Sequence, residues 1–566
     1  MVAPFRPPAP ARRDFLAWCS GIGLGATLFP EALASLAQDG GAITRAAIGQ
    51  AEQLAGLSFT DAERAQLERA VNQRRAAYAR MRERPLADEV APCLYFDPVA
   101  PGRTRPPAAA RRVVLPPPPP LEAPSDLREL AFAPVWQLSA LLRERAVTSV
   151  ELTELFLARL EQHDATLFCT VTLLKERALA QARAADAELD AGKWRGPLHG
   201  VPWGAKDLLY TKGARTTFGA EPWREFVPTL DAAVVERLDA AGAVLIAKLS
   251  LGALAMGDLW FGGMTRNPWH PQQGSSGSSA GSASATAAGL VPFAIGSETL
   301  GSIVSPSTRC GTTGLRPTFG RVSRHGAMAL SWTMDKLGPL CRNALDCALV
   351  FAALEGRDER DRTTVDLGFD FDATRPLAGL KIGYLKAGFP VGGPAADRAV
   401  LDALRAQGAD PQPMALPDAG ASDLADMLIV EGAAAFDEPT RDGRLGQLRE
   451  QGPSAWPNLF RAARFFPAVE FLRAARLRTQ LLEATAQAFA DFDVVVTPPF
   501  AGEVLALTNL TGHPALVLPH GFSKDGTPTS ITLIGKLYGE AELLRVGAAF
   551  QAVTDHHAKM PPAYAV

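Results

Sequence analysis

Six cysteines are spread over 566 residues, and no two of them have the spacing of a zinc site, which excludes the common cysteine-ligated metal modules. Charge of one sign is also missing. With 57 Lys and Arg against 60 Asp and Glu, the formal net charge is −3, so no broad basic field exists for nucleic acid or an anionic membrane. Pairs such as Arg74-Arg75 and Arg111-Arg112 read as solvated faces. Beyond the N-terminus no apolar run reaches membrane length, which leaves no stable membrane span. No short-period repeat stands out, against a solenoid. The Gly-rich stretch GSETLGS (296–302) lacks the lysine of a phosphate-binding loop, against a nucleotide site. Nothing resembles a ligand cluster, so neither metal nor organic cofactor is expected.

What is present begins with composition. Apolar residues make up 47% and charged residues 21%, the balance of a soluble globular chain able to bury a core. At the N-terminus Arg12 and Arg13 precede WCSGIGLGATLF and then small residues ending near Ala34 or Ala37. This is the layout of a twin-arginine export signal over residues 1–37, directing a folded protein to a bacterial periplasm or outside the cell. Cys19 would leave with that signal. Cys93, Cys169, Cys310, Cys341 and Cys347 would then meet oxidising conditions, and are expected as buried thiols with at most one disulfide. Cys341 and Cys347 read as parts of one helix, on different faces.

Residues 42–112 read as a helical N-terminal extension, with Thr60 or Asp61 as a cap in FTDAERAQLERAVNQRRAAYARMRER. Its sequence fits a lid, a homodimer contact or a tether equally well. VVLPPPPPLEAP (113–124) reads as an extended proline-rich linker. From residue 125 to 566, helical periodicity in PVWQLSALLRERAV, SVELTELFLARLEQH and LKERALAQARAADAELDAG alternates with short apolar segments. These are AVLIAKL (243–249), LKIGYL (380–385), FDVVVTP (492–498) and ALVLPHGF (515–522). The pattern predicts an α/β fold, a mixed central β-sheet covered by helices on both faces.

GSSGSSAGSASATAAG (274–289) has the composition of a flexible linker and also of a backbone cradle around a nucleophile. Gly277-Ser278-Ser279-Ala280-Gly281 fits the G-x-S-x-G elbow of α/β-hydrolases with Ser279 attacking, but the preceding NPWHPQQGSS reads as loop where the elbow needs a strand. Such an esterase would also need a histidine, for which His325 and His513 are the candidates.

Together with LHGVPWGAKDLLYTKG (198–213), RCGTTGLRPTFGRVSRHG (309–326), MDKLGPL (334–340) and NLTGHPALVLPHGF, the serine-rich string resembles the amidase signature family of Ser-Ser-Lys hydrolases. The resemblance spans residues 125–566. It implies Lys206 as the base, Ser278 as the bridging serine on a cis peptide and Ser302 as the nucleophile, 24 residues beyond Ser278. Backbone N–H groups of Thr299, Leu300, Gly301 and Ser302 would face the oxyanion, each contributing on the order of 3 kcal/mol. A serine hydroxyl needs a base, and a lysine amine serves only when neutral, a form that burial favours. The implied substrate is a small-molecule carboxylic amide, with aryl, hydrophobic or oligomeric amides and carbamates within the family's range and ester or urethane cleavage as side activities. Export favours a free-standing member over a component of a tRNA amidotransferase. Trp203, Met256, Trp260 and Phe261 are candidates for an apolar pocket. The sequence departs from the family at Leu300, where a second glycine is usual, and at Val304, where arginine is frequent. Those departures keep a catalytically impaired amidase-fold binding protein as an alternative.

Overall fold

The computed structural model describes residues 42–55, 58–68, 71–72, 94–117, 123–418 and 420–565. The expected export signal and Cys93 lie outside them. The chain forms two compact units, residues 1–87 and 88–566. In the first, α1 (Arg45–Ala55) is followed by helical residues 61–68. Thr60 caps this second helix: its hydroxyl accepts the Glu63 N–H at 3.3 Å, and the Glu63 carboxylate accepts the Thr60 N–H at 2.7 Å. This is the reciprocal arrangement that satisfies two otherwise orphaned donors.

The second unit is a mixed α/β structure around one large sheet. Its strands, with an outlying pair, are β1 (Arg111–Val114), β2 (Thr170–Leu173), β3 (Pro202–Lys206), β4 (Val244–Leu249), β5 (Ala294–Glu298), β6 (Thr313–Arg316), β7 (Lys336–Cys341), β8 (Phe369–Asp372), β9 (Ile382–Leu385), β10 (Gln412–Met414), β11 (Val494–Thr497), β12 (Ala515–Phe522) and β13 (Pro528–Gly535). The central sheet has 11 strands in the order β10-β9-β11-β13-β12-β6-β7-β5-β3-β4-β2. β3 lies parallel to both β4 and β5, whereas β7 runs antiparallel to β5 and to β6. All residues of β3, β4, β5, β6 and β7 are buried, as expected of strands covered on both sides.

The flanking helices include α2 (Ser149–Leu167), α3 (Ala280–Ala287), α4 (Val304–Cys310), α5 (Ala344–Leu354), α6 (Asp426–Ala435), α7 (Ala468–Ala488) and α8 (Glu540–Ala552). α2 shows why such segments form. Thr148 and Glu151 make a capping box, Phe168 closes the helix in the left-handed region, and Leu152, Phe156 and Leu160 recur every four residues on the buried side. α3 is small-residue throughout and fully buried; its serines and alanines let it sit close against the sheet.

Three boundaries differ from the sequence reading. Arg111 to Val114 pair in parallel with Phe369 to Asp372 instead of ending a helical extension at 112 and starting a linker at 113. There Arg111 bonds Glu355 at 3.0 Å and Arg112 bonds Asp370 at 2.8 Å, so this arginine pair has fixed acidic partners on β8 and nearby. Residues 94–110 are non-helical and belong to the main unit. Cys341 ends β7 while Cys347 lies in α5, so one helix does not hold both; Pro339 and Asn343 interrupt the periodicity that suggested it. Cys169, Cys310, Cys341 and Cys347 are buried free thiols.

Candidate active site

Lys206 closes β3, between β5 and β4 and third from one edge of the sheet, and its side chain has no solvent exposure. Parallel pairing of β3 with β5 carries its ammonium nitrogen to three serines from distant parts of the chain. Nζ lies 2.8 Å from Ser278 Oγ, 3.0 Å from Ser279 Oγ and 2.8 Å from Ser297 Oγ. Burial pushes the lysine well below its ordinary ionisation range, while Asp335 and Glu298 pull the other way. Neutral amines are the form that can take a proton, and a hydroxyl at 2.8 Å is within reach.

The Gly277-Ser278 peptide is cis. A Cβ on Gly277 would sit 1.8 Å from the Gly257 carbonyl oxygen, and one on Gly281 2.4 Å from the Cys169 carbonyl oxygen. Close backbone approach, not linker flexibility, therefore explains the glycines of the serine-rich string. Ser279, the alternative nucleophile, is fully buried. Its hydroxyl accepts the Ser297 N–H at 3.1 Å and donates to the Ser297 carbonyl at 3.0 Å. That hydroxyl is committed to bracing β5 at the point where β5 ends. Of the two histidine candidates for that alternative, His513 is buried, and burial with Arg316 nearby drives its pKa to about 3.

Ser302 sits in the turn between β5 and α4. Its carbonyl accepts the Ser279 N–H at 3.1 Å, tying the turn to the cis peptide. Gly301 adopts φ +91°, a region that favours glycine. Among the described residues, the N–H groups of Leu300, Gly301 and Ser302 donate to no protein acceptor. The oxyanion role expected from the sequence falls on the N–H groups of Thr299, Leu300, Gly301 and Ser302 in this turn. Leu300 packs partly buried against the core, and Val304 is buried as the first residue of α4.

Glu298 is the residue the sequence reading passed over. Its carboxylate accepts the N–H groups of Ile303 and Val304 at 2.8 and 2.9 Å, Arg316 Nη1 at 2.6 Å and Asn509 Nδ2 at 2.8 Å. Burial opposes the charge, yet Arg316 and these donors hold its pKa at about 2. A carboxylate thus fixes both ends of the turn bearing Ser302, in a chain with valine where the family often has arginine. Asp335 fixes the start of that turn by accepting the Thr299 hydroxyl at 2.5 Å. Ser297, Glu298 and Asp335 all stood in quoted motifs; their roles depend on strand pairings between segments far apart in the chain.

A cavity of about 560 Å³ opens at Ser297, Thr299 and Asp335, and His325 is on its wall. The pocket expected from aromatic residues lies elsewhere. Trp203 is fully buried, stacked on Phe293 with ring centroids 6.1 Å apart, on the face of β3 opposite Lys206. Met256, Trp260 and Phe261 line a separate cavity of about 40 Å³. The pocket role is corrected accordingly: Trp203 is core, and the larger cavity is walled by residues 324–332 and their neighbours.

The sheet and the buried lysine among serines are those of an amide-hydrolysing enzyme class. The chain matches the amidase family over residues 151–544 and belongs to it, a family of amidohydrolases. It is 38% identical over 464 residues to a glutamyl-tRNA(Gln) amidotransferase subunit from Roseiflexus sp. (strain RS-1), covering 73% of this chain and 95% of that one. Its fold resembles the native peptide amidase from Stenotrophomonas maltophilia at TM-score 0.69 and 30% identity, over 78% of this chain and 100% of that chain. An amidase family protein from Bacillus anthracis str. Ames gives TM-score 0.69 at 26% identity, over 77% and 94%. Among the described residues no helix is long and apolar enough to cross a membrane, and no group of three or more His, Cys, Asp or Glu side chains is placed to hold a metal ion.

Proposed function

We propose that this protein hydrolyses a small carboxylic amide through a Ser302 acyl-enzyme, with Ser278 and neutral Lys206 relaying the proton. The observation that carries the reading is the exposure-free Lys206 amine 2.8 Å from the Ser278 hydroxyl. Neutral Lys206 takes the Ser278 proton as Ser278 takes that of Ser302, and Ser302 Oγ attacks the carbonyl carbon. The oxyanion meets the backbone N–H groups of the 299–302 turn. Ser278 then returns the proton to the leaving amine, the C–N bond breaks, and water releases the acid by the same relay. Ester and carbamate cleavage use the same acyl transfer.

The test is the pH dependence of kcat/KM on a p-nitroanilide. Raising pH deprotonates Lys206, so the rate is expected to climb with pH and level off well below 10.5, the lysine's ordinary value. A rate still climbing through pH 10 would show that Lys206 is not the buried neutral base of this reading.

Export is the second part of the proposal, supported by Arg12 and Arg13 ahead of the apolar stretch. An exported enzyme meets no aminoacyl-tRNA, which favours a free-standing amidase. Expressed in a bacterium with a twin-arginine pathway, the full chain is expected in the periplasmic fraction, cut after Ala34 or Ala37. Arg12→Lys with Arg13→Lys should hold it in the cytoplasm. Equal distribution of both forms would remove this part.

A further inference from the structure

We propose that Leu94 and Tyr95 form an outer subsite of the 560 Å³ cavity that receives an aromatic or other bulky apolar group of the substrate amide. This rests on the amide-hydrolase reading and narrows it to a substrate class. A cavity of this size is in the range that encloses a drug-sized molecule, far larger than a carboxamide group alone. Its lining joins the polar Ser297, Thr299 and Asp335 to the apolar Leu208, Met328, Leu330, Trp332 and Leu337.

The charges at the rim are largely neutralised within the protein. Arg324 pairs with Asp361 at 3.1 Å and donates to the Trp332 carbonyl at 2.7 Å. Arg360 pairs with Glu236 at 2.5 Å and Asp358 at 3.0 Å, while Glu359 and Arg362 carry opposite signs. Beside these charges stand two exposed side chains with large apolar faces, Leu94 at 44% and Tyr95 at 59% exposure.

Tyr95 is positioned by its neighbour. The Phe96 ring stands edge-on to Phe319, centroids 5.0 Å apart, and the Arg478 guanidinium lies 3.6 Å from its centroid. Arg478, from α7, also donates to the Thr333 hydroxyl and carbonyl at 2.8 and 2.9 Å. One buried guanidinium thereby fixes both the cavity wall at 330–335 and the residue next to Tyr95. Residues 94–96 lie outside the stretch matched by the family model, which begins at residue 151. Tyrosine suits the role because it offers a large, rigid apolar face with little conformational freedom to lose.

Steady-state hydrolysis of acetamide, 4-phenylbutyramide and N-(3-phenylpropyl)acetamide tests the proposal, since the last two place the same ring on the acyl or the amine arm. The wild-type enzyme is expected to prefer one phenyl-bearing amide over acetamide. Tyr95→Ala should reduce that preference in kcat/KM by about tenfold, in the range seen for lost apolar pocket contacts. The loss should appear in KM, and Tyr95→Phe should restore it. Preferences unchanged in Tyr95→Ala, or a loss equal for all three amides, would overturn the subsite while leaving amide hydrolysis intact. Failure of the wild-type enzyme to turn over any of the three would overturn both.

Discussion

Ser302→Ala and Lys206→Ala are each expected to lower kcat on a p-nitroanilide by about four orders of magnitude, the upper range for loss of a nucleophile's activation or of the nucleophile itself. KM should change far less, because neither group is needed to bind the ground state. Combining the two substitutions should add little to either alone, since both remove the same relay. Among the described residues the Lys206 nitrogen contacts Ser278, Ser279 and Ser297. Lys206→Arg should fail as well, because guanidinium stays protonated at any working pH. Parallel assays of the single and double variants check this, and a double variant losing the product of the two single losses would contradict a shared relay.

Glu298→Gln is expected to destabilise the protein by about 3 to 5 kcal/mol, the usual consequence of stripping the partner from a buried charge. The charge left behind is Arg316, fully buried and otherwise held by the His513 carbonyl at 2.9 Å. Activity should fall along with the urea midpoint, because the same carboxylate holds the Ile303 and Val304 N–H groups beside Ser302. The pH dependence has a definite sign. Glu298 ionises near 2 when folded against 4.5 ordinarily, so its stabilisation is fully present above pH 4.5 and is lost as pH falls toward 2. The gap in urea midpoint between wild type and Glu298→Gln should therefore narrow below pH 4.5. A gap that widens with acid would mean that Glu298 is not an ionised carboxylate in the folded protein.

Much of the fold is legible in the sequence where apolar patterning and caps agree. AVLIAKL, LKIGYL, FDVVVTP and ALVLPHGF contain β4, β9, β11 and β12; two of the helical segments after residue 125 contain the observed helices Val135–Arg143 and Lys175–Asp190, and the third, ending at His163, covers all but the last four residues of Ser149–Leu167. The strands that build the site were not legible. β3, β5, β6 and β7 read PWGAK, AIGSE, TGLR and KLGPLC, with Gly, Pro and a buried charge where strand patterns call for β-branched residues. The buried charges are Lys206, Glu298, Arg316 and Lys336, which is why the pattern fails there: local rules are broken where residues serve the site. Glu298 and Lys336 are even paired in register.

The motif residues Lys206, Ser278 and Ser302 were legible from resemblance, and the structure brings Lys206 to Ser278 and the Ser302 turn to the cis peptide. Ser297 and Glu298 were not, because their partners lie on strands or helices up to 211 residues away. Trp203 misled for a simple reason. It is three residues from Lys206, and on a strand that spacing faces the opposite side of the sheet.

The most direct measurement of the central claim is to map the residue labelled by an aryl fluorophosphonate, a reagent that marks activated serines. Intact mass should rise by one adduct per chain, and fragmentation should place it on Ser302, with labelling abolished in Ser302→Ala and slowed by orders of magnitude in Lys206→Ala. An adduct on Ser279, or stoichiometric labelling that survives Ser302→Ala, would contradict the account.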